Sequence, residues 1–396
     1  MTVSYSGTFL RLLLRWKGSV WKAIWREVLV WLILYYGLRF ALERLFMDST
    51  RKGTVLKVMK AFQVATNEMP IGFMLGFYVT QVVSRWWAQV QNLPWPDEVM
   101  SLVNAYLTKG DTPENLLLRR HNIARYLILT QIIALSGVST RIRKRFPTLE
   151  HIVDSGLMTA EEHQMLMGCP CPNLRWQMPL HWVQNLIIPL VGVGPDLISS
   201  TSATSIYKEL NVYRAALRSV FLHDWINIPL VITQATGVGL YGYFLVSLFG
   251  RQTVADEFDT LIPFGPIIKF CGYVGWFRVA QDLLRPFGED DDDVELNYLI
   301  ERHINAAMSL ALQPSIRAPP LEPDQLFGVK KISLPNTKLS ADRADCPPLM
   351  MAVFPVKTAE DLVYDHNETI VNEMANRARK RAFMCDRVDK EWTLFF

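Results

Sequence analysis

The sequence predicts an all-α integral membrane protein, with four transmembrane helices and a large cytosolic helical domain. Three observations predict it. Residues 225–250 form a 26-residue stretch without a charge, long enough to cross a bilayer. Charge is sparse in a few long windows and dense elsewhere. The chain also carries 12 Trp, 13 Tyr and 20 Phe, and Trp and Tyr favour membrane–water interfaces.

Four windows supply the spans. The first, Val28 to Phe46, opens with eleven apolar residues ending at Leu38. Arg39, Glu43 and Arg44 follow at i, i+4 and i+5, close enough on a helix to pair or to reach the interface. The second, Met69 to Val83, is short. Extended back through residues 61–66 it spans, with Asn67, Glu68 and Pro70 breaking it. The third, Trp225 to Gly250, is the clearest. The fourth, Leu261 to Ala280, holds Pro263, Pro266, Lys269 and Arg278, which are costly against lipid and are expected to face protein or water.

The domain reading follows: 1–27 a cytosolic N-terminal segment, 28–85 the first two membrane helices, 86–223 a cytosolic helical domain, 224–285 the last two membrane helices, 286–310 an acidic region with a following helix, and 311–396 a Pro-rich cytosolic tail. The middle block has helical patterns such as Asn115 to Ile142, ending in the basic cluster Arg141, Arg143, Lys144 and Arg145. Trp182 to Val193 is apolar but broken by Pro189, and reads as a core helix. In the tail, residues 359–382 pattern as one helix. Arg11, Arg15, Lys17, Lys22 and Arg26 place the N-terminus inside, by the preference of basic segments for the cytosol. Arg51, Lys52, Lys57 and Lys60 in the first loop oppose that orientation. The first apolar run lacks a small-residue cleavage site and reads as a retained signal-anchor.

Composition narrows the function. Net charge is +3, from 41 basic and 38 acidic residues, with no basic tract to follow nucleic acid. The five cysteines (169, 171, 271, 346 and 385) lack zinc-site spacing and read as reduced thiols. The seven His are scattered, and no nucleophile–base or phosphate-loop motif occurs, so an enzyme is not expected. Asn367-Glu368-Thr369 matches a glycosylation acceptor by chance in a tail expected in the cytosol.

Three motifs carry the rest. Met69, Phe73 and Phe77 are spaced by four, so on one helix they share a face, with Gly72 and Gly76 beside them permitting close helix approach. Around an axis such side chains make a hydrophobic collar that gates by dewetting. Their ring edges are positive and tolerate an anion. Spacing alone equally allows a packing or lipid-facing stripe. The second motif, Glu289 to Asp293 with Glu295, puts six carboxylates in seven residues. They repel unless solvated or bound to a cation, and calcium takes such oxygen ligands together with carbonyls. A solvated run at the start of the next helix is the alternative. The third, Arg85-Trp86-Trp87 with Trp95 between Pro94 and Pro96, fits an inner interfacial belt.

Several of these residues, in order, resemble the bestrophin signature: Gly76-Phe77-Tyr78-Val79-Thr80, Arg85-Trp86-Trp87, Leu93-Pro94-Trp95-Pro96-Asp97, Arg145-Phe146-Pro147, Asp224-Trp225-Ile226, Tyr273-Val274-Gly275-Trp276, and above all Pro286-Phe287-Gly288-Glu289 with Asp290 to Asp293. The resemblance covers residues 1 to about 305. It implies a calcium-activated chloride channel: a ring-shaped homopentamer with one axial pore, four membrane helices per subunit, both termini cytosolic, in the plasma membrane, passing chloride and also bicarbonate. It implies a pore neck at Met69, Phe73 and Phe77, with Met69 standing where the family usually has Ile. It implies a second, cytosolic constriction at Thr201. It implies a Ca2+ clasp from the side chains of Asp290 and Asp293 and the carbonyls of Asp282 and Arg285. A further carbonyl, from a neighbour's N-terminal segment, is missing here because Ser6 runs straight into Gly7-Thr8-Phe9. An anion carrier or a regulator of calcium handling with the same fold is the competing reading, although no internal symmetry of the transporter kind is visible.

Overall fold

The computed structural model describes residues 8–46, 49–195, 197–252 and 262–312, with isolated residues between 320 and 337. The chain divides into a unit over residues 1–316 and a second over 317–396. All described helices lie in the first. The second is represented by those isolated residues alone, so the helix expected at 359–382 lies outside the described residues.

Among the described residues the fold is all helical, with a single isolated bridge between Val191 and Ile198. In chain order the helices are α1 (Phe9–Leu13), α2 (Val20–Phe46), α3 (Ser49–Glu68), α4 (Ile71–Gln91), α5 (Pro96–Tyr106), α6 (Pro113–Val138), α7 (Thr140–Arg145), α8 (Leu149–Asp154), α9 (Ala160–Met167), α10 (Met178–Ile187), α11 (Ser200–Trp225), α12 (Leu230–Gly250), α13 (Phe264–Asp282) and α14 (Leu296–Leu312). Local chemistry sets many boundaries. Thr112 accepts from the Asn115 amide to start α6, with Pro113 at its first position. Thr159 and Glu162 form a reciprocal capping box on α9.

Three elements differ from the sequence reading. The 26-residue apolar run is two helices: Trp225 closes α11, and α12 begins only at Leu230. Pro229 supplies no N–H and disfavours helical backbone at Ile228, so the chain breaks there. Arg51, Lys52, Lys57 and Lys60 lie within α3 rather than in a loop. The helix through Asn115 stops at Val138, and the basic cluster follows on the separate α7. Trp182 lies on α10, whose end tightens into a 3-10 turn over Ile188–Leu190, where Pro189 removes a donor.

Two separate cores result. One joins α2, α4, α12 and α13 through Ile24, Trp31, Tyr35, Tyr78, Leu240, Phe244, Val274 and Phe277. The other joins α5, α6, α10, α11 and α14 through Met100, Leu127, Ile132, Val183, Tyr213 and Ile300. The first core is wrapped in exposed apolar side chains: Leu29, Ile33, Leu34 and Phe40 on α2, Leu230, Val231, Val238 and Leu245 on α12, and Ile268 and Trp276 on α13. A girdle of that size is not built for water. By length and composition alone, α12 is the one described helix apolar enough to cross a membrane. The other three carry ions, some of them paired in place: Arg39 is buried and binds Glu43 at 3.1 Å, the i, i+4 pair expected from sequence. Gly250 lets α12 meet α3 backbone to backbone, since a Cβ there would lie 2.7 Å from the Gln63 nitrogen.

The second core contains one buried histidine. His303 on α14 faces Gln131 on α6, its Nδ1 2.9 Å from Gln131 Oε1. Gln131 Nε2 donates to Pro94 O at 3.2 Å, so its oxygen accepts and His303 Nδ1 carries the proton. His303 Nε2 has no partner. Burial and the neighbouring Arg302 charge push the His303 pKa down to about 4. The neutral ring therefore favours the fold above the ordinary histidine pKa, and that contribution is lost as pH falls through about 4. Thermal unfolding between pH 6.5 and pH 4 is expected to show a loss of about 2–3 kcal/mol that His303→Gln removes. An acid limb of equal slope in the variant would refute the assignment.

Candidate functional site: an exposed aromatic stripe and an acidic loop

Helix α4 has two unlike faces. Ile71, Leu75, Tyr78, Val79 and Val82 are buried against α12 and α13. The opposite face exposes Phe73 and Phe77, at 78% and 56% of their surface. Phe73 and Phe77 thus share a face, as their spacing predicts. Met69, 38% exposed, does not belong to α4 at all. It sits with Pro70 in the break between α3 and α4, where the Ile71 amide bonds back to the Met69 carbonyl at 2.9 Å. The cause is Pro70, which caps α4 and ends α3. A Cβ on Gly76 would meet nothing within 4 Å, and one on Gly72 only the Tyr273 hydroxyl at 3.8 Å. Neither glycine serves close packing within this chain. Below Phe77 the exposed stripe continues through Thr80, Gln81 and Ser84, so the face turns from aromatic to polar. None of the three was predicted from sequence to share the phenylalanine face. Their i+3, i+4 spacing from Phe77 could have found them.

The end of α4 is latched to the end of α11, a helix of the second core. Arg85 donates to the carbonyls of His223 and Ile226, the latter at 2.7 Å, and to Asn227 Oδ1 at 3.3 Å. It thereby satisfies carbonyls left open at the C-terminus of α11, a favourable place for a cation. An interfacial arginine was expected here, but the helix end it serves was not. Trp86 and Trp87 pack edge to face at 4.9 Å. Thr201 lies exposed in the first turn of α11, which Ser199 caps through the Ser202 amide. It is far along α11 from the Arg85 latch.

The acidic run forms the loop between α13 and α14. Phe287 is buried in the second core, and Val294 N bonds Pro286 O at 2.8 Å, closing the loop. The basic cluster on α7 folds onto it. Arg141 donates to Gly288 O at 2.9 Å and Asp290 O at 3.2 Å and pairs with Glu295, while Lys144 binds Glu289 at 2.6 Å. Lys22 from α2 binds Asp291 at 2.5 Å. Three of the six carboxylates are thus neutralised. Among the described residues, Asp290, Asp292 and Asp293 carry no ion pair.

Asp293 is the unusual one. It is only 3% exposed, and its Oδ2 accepts the Asp290 amide at 2.7 Å. Burial, offset in part by that bond and reinforced by the charges of Asp290 and Asp292, pushes its carboxyl up to about 6. Gly288 makes room for it: a Cβ there would lie 2.7 Å from Asp293 Oδ2 and 3.6 Å from Arg285 O. The Asp293 carboxylate and the Arg285 carbonyl therefore converge on one side of Gly288. Asp282 ends α13, and its carbonyl cannot receive an i+4 bond because residue i+4 is Pro286, which has no N–H. Among the described residues, no three His, Cys, Asp or Glu side chains converge as a ready-made metal cage. The expected set has only two carboxylates, with carbonyls for the rest. A buried carboxylate with no ion pair among the described residues, beside the Arg285 carbonyl, is a donor set that suits a hard cation. The shortened segment through Gly7 lies outside the described residues.

Comparison with known proteins assigns this arrangement to a class of membrane anion channels. The family model described as Bestrophin, RFP-TM, chloride channel matches residues 1–313. The chain is 36% identical to Bestrophin homolog 13 of Caenorhabditis elegans, over 92% of this chain and 95% of that protein. It is 36% identical to human Bestrophin-1, over 86% of this chain and 60% of that protein. In fold it is similar to a mutant of a bacterial bestrophin homolog from Klebsiella pneumoniae, with a TM-score of 0.57 at 16% identity over 73% of this chain and 99% of that one. The chain belongs to the bestrophin family, a family of channels and not of enzymes.

The loop geometry yields a prediction. Gly288→Ala would force the Asp293 carboxylate away from Arg285 O. Under the calcium reading proposed below, the calcium-induced rise in melting temperature is expected to need about 10-fold or more calcium in this variant, as for other residues that position metal ligands. A wild-type calcium response in the variant would count against this packing.

Proposed function

We propose that the chain is one subunit of a calcium-activated chloride channel of the plasma membrane, a homopentamer with one axial pore. The observation that carries the reading is the exposed face of α4. Among the described residues Phe73 and Phe77 stay exposed outside either core, and the polar Thr80, Gln81 and Ser84 continue their line. Five such faces around an axis would make a dewetting collar that opens onto a hydrated passage. Met69 would form the collar's outer edge, and Thr201 would line a second narrowing on the cytosolic side. The membrane helices are α2, the α3–α4 pair, α12 and α13, with both termini in the cytosol. The apolar girdle on α2, α12 and α13 supports their placement in lipid.

The residues of the acidic loop fit a calcium ion. Asp290 and Asp293 would supply carboxylates, and Asp282 and Arg285 carbonyls. A bound calcium would supply the positive charge that Asp293 lacks. Because the loop directly follows α13 and is tied to α2 through Lys22, ordering it bears on membrane helices. Chloride is the expected permeant ion, with bicarbonate a second. A carrier of the same fold would show flux that saturates at low anion concentration, which the open polar stripe does not favour.

Two measurements test this reading. In planar bilayers, Phe73→Ala with Phe77→Ala is expected to raise the open fraction at low calcium about tenfold, equal to ~1.4 kcal/mol of closed-state preference. Absence of any anion-selective current from the wild-type protein would end the channel reading. Separately, Asp290→Ala with Asp293→Ala is expected to raise the half-activating calcium concentration about tenfold or more by removing ligand charge. An unshifted activation curve would remove calcium from the loop.

A further inference from the structure

The membrane core leaves an apolar slot of about 610 Å3 between α2, α12 and α13. That volume lies within the roughly 300–1,000 Å3 of small-molecule clefts. Its walls include Val30, Trp31, Leu34, Leu245, Leu248 and Phe270. One end is polar. There the Tyr241 hydroxyl donates to Glu27 Oε2 at 3.4 Å, and Arg278 Nε binds Glu27 at 3.0 Å. From Glu27 to Leu34 along α2, and from Tyr241 to Leu248 along α12, the slot runs seven residues, about 10 Å. That depth lies within the ~15 Å hydrocarbon of one leaflet, half of a bilayer core of ~30 Å.

The charge at the polar end is unbalanced. Arg278 takes Glu27, while Arg26, exposed beside it, has no carboxylate partner among the described residues and lies over the Trp25 ring at 5.3 Å. Two guanidiniums therefore share one carboxylate. Trp21 and Trp25 are both exposed on the same stretch of α2, as interfacial anchors are. Arg26 thus stands at headgroup height with the slot opening into hydrocarbon beside it. The slot also has unclaimed space: Gly242 lines it, yet a Cβ on Gly242 would meet nothing within 4 Å.

We propose that the slot holds an acyl chain of an anionic phospholipid from the cytosolic leaflet, with its phosphate on Arg26. The proposal rests on the membrane placement given under Proposed function. Arginine suits phosphate because its planar fork can donate two parallel bonds. The site is linked to the acidic loop: Lys22, one turn before Arg26 on α2, is the residue that tethers Asp291.

The test uses the full chain reconstituted in vesicles holding equal amounts of phosphatidylglycerol and phosphatidylcholine, released and examined by native mass spectrometry. Wild-type protein is expected to retain phosphatidylglycerol over phosphatidylcholine about fivefold, the effect of one basic side chain at an anionic surface. Arg26→Gln should abolish the preference while lipid is still retained. Gly242→Phe, whose ring starts from a Cβ position with nothing within 4 Å and fills the slot, should lose the retained lipid at an unchanged melting temperature. Equal retention of both lipids by the wild type, or an unchanged preference in Arg26→Gln, overturns the proposal. A change of oligomer size in Gly242→Phe, in place of lipid loss, overturns it too and gives the slot to a second copy of the chain. Chloride flux from the same vesicles is read independently. Flux without lipid preference removes the slot alone, and lipid preference without flux removes the channel reading alone.

Discussion

The Arg141 guanidinium reaches three points of one loop, the carbonyls of Gly288 and Asp290 and the carboxylate of Glu295. Six carboxylates in seven residues would otherwise drive the segment open. With Lys144 and Lys22 holding Glu289 and Asp291, the loop is neutralised around its outside and left negative within, at Asp293. Phe287 fixes the same loop into the second core. The end of α13 is thereby bound to α7, α14 and α2 together. Much of what connects the girdled helices to the second core passes through this short segment. Arg85, closing the end of α11 from α4, provides another connection.

The division into two cores explains why one sequence can look both greasy and highly charged. In α12 and α13 the outer surface stays apolar, so hydrophobic periodicity is weak. In α5, α10 and α14 of the second core the ordinary amphipathic logic returns. Ions inside the girdled helices are accommodated locally, as Arg39 with Glu43 and Arg278 with Glu27 show. Those pairs lower the cost of charges that composition alone would count against a span.

Much of this was legible in the sequence, and what was not has a common cause. The all-helical class, the apolar α12, the Arg39–Glu43 pair and the shared face of Phe73 and Phe77 all follow from spacing within a few residues. The break at Pro229 carried a visible signal, but the long uncharged run outweighed it. The basic cluster and the acidic run were each noticed, yet their union was not, because Arg141 and Glu295 are 154 residues apart and local periodicity says nothing of such partners. The same holds for Arg85 and the α11 carbonyls. The role of Gly288 was hidden for a different reason: it depends on a side chain, Asp293, turning back on its own loop.

The Pro70 break gives Met69 a different mechanical standing from the two phenylalanines. A twist of α4 about its long axis sweeps Phe73 and Phe77 as a rigid comb, while Met69, riding on the joint with α3, is spared the same rotation. A change of side chain at position 69 is therefore a change at the joint, and it leaves the shared face of Phe73 and Phe77 on α4 as it is.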